Sequence, residues 1–358
     1  MRVERVVPGS PIPAALAASL VGAVLTRDLA VAGERWSKGR RLSAADLRRL
    51  VAPGAVGERE AGRALTLLVA EAGDVHEDEA GRRLAAVVGG EGVAAGEPVQ
   101  SRVDLRATVD GVLHVRTAAV ARLDAIDAVE VFTALDGRVV SAGDLVASVK
   151  VAPHLVSETV VARAEAVARR AAPVVRVAAF RPSRVAVLVK ETVRGVARDR
   201  FEASIRSRVE GLGSTLVAID YVADDEAAVE AALARRLRTR GPERVDLVMT
   251  AGSGSTDPGD PFFVAIERLG GRMIRHGVPA HPGSMLWLAR VGRVPVLGLP
   301  SCGAYSKATA ADLLLPRLLS GEPASARTVA RLGHGGLLTR DQRFRFPPYA
   351  REMDAPEG

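Results

Sequence analysis

Three stretches of this chain set small, hydroxyl-bearing and acidic residues where a parallel α/β sheet would present them to a ligand. The first is Thr250-Ala251-Gly252-Ser253-Gly254-Ser255-Thr256-Asp257-Pro258-Gly259-Asp260, between a β-branched run and a helix beginning near Pro261. Gly252 and Gly254 let the backbone approach a ligand and adopt positive φ. Ser253, Ser255 and Thr256 offer hydroxyls, and free N–H groups at a helix start attract phosphate. Asp257 and Asp260 add negative charge beside that anion site; a divalent cation bridging carboxylate and phosphate would reconcile the two. The same residues also suit a Gly/Ser turn in which Asp260 caps a helix with Pro261 at its first position. The second stretch, Pro300-Ser301-Cys302-Gly303-Ala304-Tyr305-Ser306-Lys307, again runs from strand through small residues to a helix. Cys302 reads as a packed free thiol, and Tyr305 and Lys307 as anion contacts or surface groups. The third is Lys190-Glu191-Thr192, with Asp199 ahead of the next helix, either as its N-cap or as a site acid. His281-Pro282-Gly283 forms a turn before the final strand.

The elements that must position these residues are legible from periodicity. Apolar runs at 184–189, 215–219, 245–250 and 294–299 alternate with helical patterns at 200–212, 224–238, 261–269 and 308–319. Short β-branched runs are the mark of buried parallel strands. Strand and helix in alternation imply βαβ units with helices on both faces. Ligands bind beyond the carboxyl ends of such strands, which is where the three stretches fall. Upstream, Ser43 to Asp46 opens a helix that Pro53-Gly54 ends. Asp74 to Glu79 supplies an acidic start for a helix over 80–88. Runs at 101–109, 112–115, 129–134, 138–140 and 145–151 read as strands, with Asp110-Gly111 and Asp136-Gly137 as hairpin signals. The expected organisation is a small α+β unit over 1–75 and a β-rich mixed unit with a linker helix over 76–178. A three-layer α/β/α domain with a mostly parallel sheet follows over 179–325, then a tail over 326–358.

Composition removes several function classes. With 48% hydrophobic and 25% charged residues the chain is globular rather than disordered. Aromatics at 3% are too few for a stacking platform for single-stranded nucleic acid. The formal charge of +7 comes from scattered arginines, such as Arg48-Arg49, Arg169-Arg170 and Arg235-Arg236, on expected helix surfaces. That favours anionic ligands or an acidic partner and offers no run dense enough for DNA. The single cysteine, Cys302, rules out an intrachain disulfide and fits a reducing cytoplasm. The uncharged segment 11–26 is broken by prolines and a glycine, follows Glu4 and is short for a membrane span. A cytoplasmic protein without a membrane segment is expected.

Taken in order, these loops resemble those of the molybdopterin-binding domain shared by molybdopterin adenylyltransferases and molybdopterin molybdotransferases. The likeness rests on Thr250 to Gly254 with Pro258 and Asp260, and on Asp199 at the family's acidic position. It rests further on Ala280-His281-Pro282-Gly283 at its Lys-Pro-Gly turn, and on Gly298-Leu299-Pro300 entering its Gly-Leu-Pro-Gly-Asn-Pro loop. Ser253 stands where the family has glycine, Ser301-Cys302-Gly303 where it has Gly-Asn-Pro, and Lys190-Glu191-Thr192 replaces an acidic loop. These departures bear on molybdate insertion more than on pterin binding.

The resemblance implies molybdopterin or its nucleotide form, held by Thr250, Gly252, Ser253, Gly254, Ser255, Thr256 and Asp260. It adds His281, Pro282 and Gly283 from the turn, and Pro300, Ser301, Cys302 and Lys307 from the last loop. Asp260 and Asp199 would face the dithiolene, molybdate or Mg2+ end, as metal ligands and, in an enzyme, as catalytic groups. Lys38-Gly39-Arg40-Arg41-Leu42 and Glu77-Asp78-Glu79-Ala80 further resemble the N-terminal segments of a variant group. Its members often continue into a domain similar to molybdenum cofactor cytidylyltransferases. No glycine-rich nucleotide-binding start of that kind follows in this sequence. The expectation is therefore a homo-oligomeric molybdopterin-binding protein of cofactor maturation, carrier or accessory to a separate cytidylyltransferase. Two alternatives stay open: a magnesium-dependent molybdotransferase or adenylyltransferase, and a nucleotide-sugar pyrophosphatase resembling the competence-damage-inducible family.

Overall fold

All four expected apolar runs become strands of one sheet. The computed structural model describes residues 1–190, 194–241, 244–299 and 308–351. The sheet contains β1 (Arg184–Val189), β2 (Thr215–Tyr221), β3 (Leu247–Ala251), β4 (Arg272–His276), β5 (Trp287–Val291) and β6 (Val294–Gly298). Their spatial order is β2-β1-β3-β6-β5-β4. β2, β1, β3 and β6 run parallel, whereas β4 and β5 pair antiparallel at one edge. No strand is expected from the sequence at β4 or β5. β4 carries Arg272, Arg275 and His276 and has no buried residue, so it lacks the apolar run by which a buried strand announces itself.

Strand period divides the sheet between two cores. Val185, Val187 and Val189 of β1 pack with Phe201, Ile205 and Val209 of α1 (Gly195–Glu210). Leu313, Leu314 and Leu315 of α4 (Ala311–Leu319) join that same cluster. The alternate residues Ala186 and Leu188 join Val229 and Leu233 of α2 (Glu226–Arg238) and Phe262 and Ile266 of α3 (Pro261–Arg268). Helices therefore cover both faces, which is the expected three-layer arrangement. Each of the fully buried Val, Leu, Ile and Phe side chains contributes roughly 1.5–3 kcal/mol.

The chain forms two compact units. The C-terminal unit comprises Val177–Gly358 together with Val109–His114 and Gly137–Ser141. The other comprises Met1–Thr108, Val115–Asp136 and Ala142–Arg176. In the latter, the strands Val93–Ala95, Arg102–Ala107, Leu145–Val151 and Val129–Thr133 make an antiparallel sheet. Two helices, Glu77–Val88 and Glu158–Arg170, are cross-linked by Arg83, which holds Glu158 through two 2.7 Å bonds and Glu165 at 3.0 Å. The expected helix start at Ser43 is a complete capping box with Asp46. The hairpin signals fail: Gly111–Val115 pairs with Val139–Val140, while Arg102–Ala107 and Val129–Thr133 belong to another sheet. Asp110-Gly111 and Asp136-Gly137 thus lie where the chain passes from one sheet to another.

Candidate functional site

β1 and β3 are adjacent and their following helices lie on opposite faces, so the sheet has its switch point between their carboxyl ends. That crevice is where open α/β sheets take ligands. Lys190 leaves β1 there, its N–H donating to the carbonyl of Ala251 at 3.0 Å. Thr250 is fully buried near the end of β3, and its Oγ1 has no hydrogen-bond partner among the described residues.

Asp260 organises the loop that follows. It is 2% exposed. Its Oδ1 accepts from the Phe262 N–H at 2.9 Å, with Pro261 in the first turn of α3, so the helix-capping alternative is realised in full. Its Oδ2 accepts from the Gly254 N–H at 2.6 Å and from Lys190 Nζ at 2.8 Å. Lys190 Nζ also pairs with Asp224 Oδ1 at 2.9 Å and lies 5.9 Å from the Phe262 ring centre. Burial pulls the Lys190 ammonium down, but the hydrogen bonds to Asp260 and Asp224 outweigh it and hold its pKa above the usual lysine value. The conflict between an anion-seeking turn and a buried carboxylate is thus resolved by this chain's own ammonium. Both Asp260 oxygens are occupied, and no group of three or more His, Cys, Asp or Glu among the described residues suits a metal ion. In this arrangement three of the roughly four acceptor positions of the Asp260 carboxylate are engaged.

The turn itself remains open to an anion. Gly252 has φ +84°, a left-handed conformation suited to glycine. The N–H groups of Ser253, Ser255 and Thr256 have no acceptor among the described residues. Asp257 closes the loop on itself, its N–H bonding the Gly254 carbonyl at 2.8 Å and its Oδ1 the Gly259 N–H at 2.9 Å. Ser253 is pinned from β5, two strands away, its Oγ accepting from Trp287 Nε1 at 2.9 Å. Trp287 is fully buried and meets Phe263 edge-on at 5.2 Å. The approach is open because β6 presents Gly298 to the indole; a Cβ there would collide with Trp287 Cε2.

The remaining sequence-derived residues are placed separately. Asp199 is the fifth residue of α1 and exposed; Arg194 occupies the N-cap, so the capping alternative for Asp199 does not hold. His281 bonds through its backbone to Gly336 and Leu338, and the Pro282 carbonyl accepts from the Ala310 N–H. Gly283 has φ +105° and packs closely against Ala310. Those contacts tie the turn to the start of α4 and to the C-terminal segment. Pro300, Ser301, Cys302 and Lys307, like Glu191 and Thr192, lie outside the described residues. Asp224 and Trp287 join this site without having been expected from the sequence. The one available signal was that Trp287 is one of only two tryptophans, shortly before a strand rich in valine.

Residues 185–320 match the family model described as a probable molybdopterin binding domain. The matched segment spans β1 through α4, the portion that carries the crevice. No curated protein matches the chain. Among solved structures, the molybdopterin biosynthesis enzyme MoaB from Thermus thermophilus is 23% identical, with 40% of this chain and 99% of that chain covered at a TM-score of 0.30. A structure of molybdenum cofactor biosynthesis protein B is 16% identical, covering 39% and 93% at 0.29. The molybdopterin biosynthesis moea protein from Pyrococcus horikosii is 18% identical, covering 70% and 81% at 0.29.

Proposed function

We propose that the 185–320 domain binds molybdopterin or its nucleotide form, and that the protein serves cofactor maturation as a carrier or accessory. The observation that carries this reading is the turn 252–256. It offers N–H groups and hydroxyls for a terminal phosphate, while Lys190 cancels the charge of the aspartate behind it. When bound, the pterin would supply the dithiolene that holds molybdenum. This chain's residues would do the holding: Gly252 to Thr256 at the phosphate, with Thr250 Oγ1 as a further buried donor at the strand end. A carrier needs affinity without turnover, and a carboxylate whose oxygens are already engaged suits binding better than metal-assisted transfer. A separate nucleotidyltransferase and a second copy of this chain are the partners this reading calls for.

The test is titration of purified protein with molybdopterin and with its cytidine dinucleotide, followed by calorimetry. Saturable binding is expected, with no dependence on added Mg2+ and no turnover with ATP or molybdate. An organic extract of protein from a cofactor-producing host should carry an oxidised pterin fluorophore. Absence of both binding and fluorophore sinks the proposal. Hydrolysis of ADP-ribose with a divalent metal would instead favour the pyrophosphatase alternative.

A further inference from the structure

A second polar cavity lies in the N-terminal unit. Its volume is about 110 Å³, and Lys38, Glu77, Gln100, Ser101, Lys150 and His154 line it. The fold assembles these residues from four separate stretches. The strands Asp74–His76 and Leu155–Ser157 pair so that Leu155 faces His76. Glu77 and His154, one residue beyond that pair, are therefore brought together: the Glu77 N–H donates to the His154 carbonyl at 3.0 Å, and His154 Nδ1 lies 3.0 Å from Glu77 Oε1. Lys150 comes from a strand in which it faces Arg102, the neighbour of Ser101. Lys38 is delivered by the turn at Gly39, whose carbonyl His76 Nε2 holds at 2.9 Å. His76 Nδ1 accepts from the Asp78 N–H, so Nε2 is the protonated nitrogen and the anchor is a neutral imidazole.

Gly39 shows how closely this wall is built. It has φ +84°, and a Cβ there would collide with Glu77 Oε1. On the opposite rim Gln100 and Ser101 both hold left-handed conformations, at φ +48° and +69°, although neither is glycine.

The charges decide what fits. Glu77 is the only acid of the described lining, is 3% exposed and lies 3.0 Å from His154 Nδ1. Lys38, an exposed residue, and Lys150, a half-buried one, both border the cavity, and neither has a carboxylate within ion-pair distance among the described residues. His154 Nδ1, although 3.0 Å from Glu77 Oε1, is buried without a hydrogen-bond partner among the described residues, an unmet polar atom in the cavity wall. The space is smaller than a cavity of roughly 150 Å³ that takes one benzene, so a nucleotide or pterin does not fit. We infer that the juxtaposition of Lys38, Lys150 and His154 in this cavity is a binding site for a small doubly charged oxyanion of the phosphate or sulfate type. It is separate from the Asp260 loop and does not depend on the function proposed for it.

The test is calorimetric titration of the full chain with inorganic phosphate, sulfate and, as a singly charged control, acetate. Phosphate or sulfate should bind with saturation, and acetate on the order of tenfold more weakly or not at all. Lys38→Gln with Lys150→Gln should reduce that affinity by on the order of tenfold or more while melting without ligand stays within a few degrees of the parent. If the paired lysine variant binds phosphate as tightly as the parent, or if the parent gives no saturable heat with phosphate or sulfate, the inference is wrong. Preference for acetate over both dianions would equally overturn it. Should the paired variant fold poorly, phosphate protection of the 38–39 turn and of Lys150 from acylation in the parent reads out the same site, and no protection refutes it.

Discussion

At the residue scale, the pair Lys190–Asp260 governs the candidate site. The two side chains are 6% and 2% exposed, so removing one member leaves the other's charge buried. Asp260→Asn is expected to lower stability by about 3 kcal/mol, at the low end for breaking a buried pair because Lys190 keeps Asp224. Urea denaturation measures this, and a loss under about 1 kcal/mol would mean the pair is solvated. The pairing also sets a pH window. Because the Lys190 pKa is held above its ordinary value, the stability it contributes is complete below that ordinary value and is lost as pH rises through the folded one. Sequence alone identified Asp260 as important but left its partner open between a metal and a helix cap. Lys190 lies 70 positions away, and only the adjacency of β1 and β3 brings its ammonium to the carboxylate.

At the element scale, helices are tied to the sheet by ion pairs at strand ends. Arg236 of α2 grips Asp220 of β2 through bonds of 2.6 and 2.7 Å, both side chains being under one-fifth exposed. This corrects one arginine that the sequence reading assigned to the solvated surface; its neighbour Arg235 is 61% exposed and fits it. The Arg236 hydrogen bonds hold the Asp220 carboxyl below its ordinary 3.8. The sign for a depressed carboxylate is that its stabilisation is present above the ordinary value and lost as pH falls through the folded one. Asp220→Asn should therefore cost about 2 kcal/mol near neutrality and almost nothing in acid, so parent and variant unfolding curves should converge as pH falls through the depressed folded value. A constant gap across that range would contradict the assignment.

At the scale of the whole molecule, the family match and the compact unit do not coincide. The match covers 185–320, whereas the unit draws in Val109–His114 and Gly137–Ser141 and the segment beyond 320. Contacts inside the unit show why: Arg351 donates to the Val139 carbonyl, and Glu322 lies 3.6 Å from His114 Nε2 and 2.7 Å from Arg317 Nη1. A fragment spanning 177–358 should consequently unfold at lower denaturant than the intact chain and bind a hydrophobic dye. Equal midpoints would show that the two early segments are dispensable.

Short-range pattern determined much of this protein. The βαβ alternation, the capping box at Ser43 and the Gly/Ser turn at 252–256 each follow from residues within a few positions, where backbone preference and apolar period act directly. The order of the crevice loops was legible for the same reason, since parallel strands place their following loops at one end. Tertiary structure alone decided three matters. It supplied the polar edge strand β4, whose strand character comes from pairing with β5 rather than from an apolar pattern of its own. It brought the Lys190 ammonium to Asp260, a partner that no local pattern named. It also joined Glu77 to His154, far apart in the chain, because two three-residue strands fix their register only against each other. Charge pairing over such distances is set by which strands become neighbours, and no local pattern encodes that.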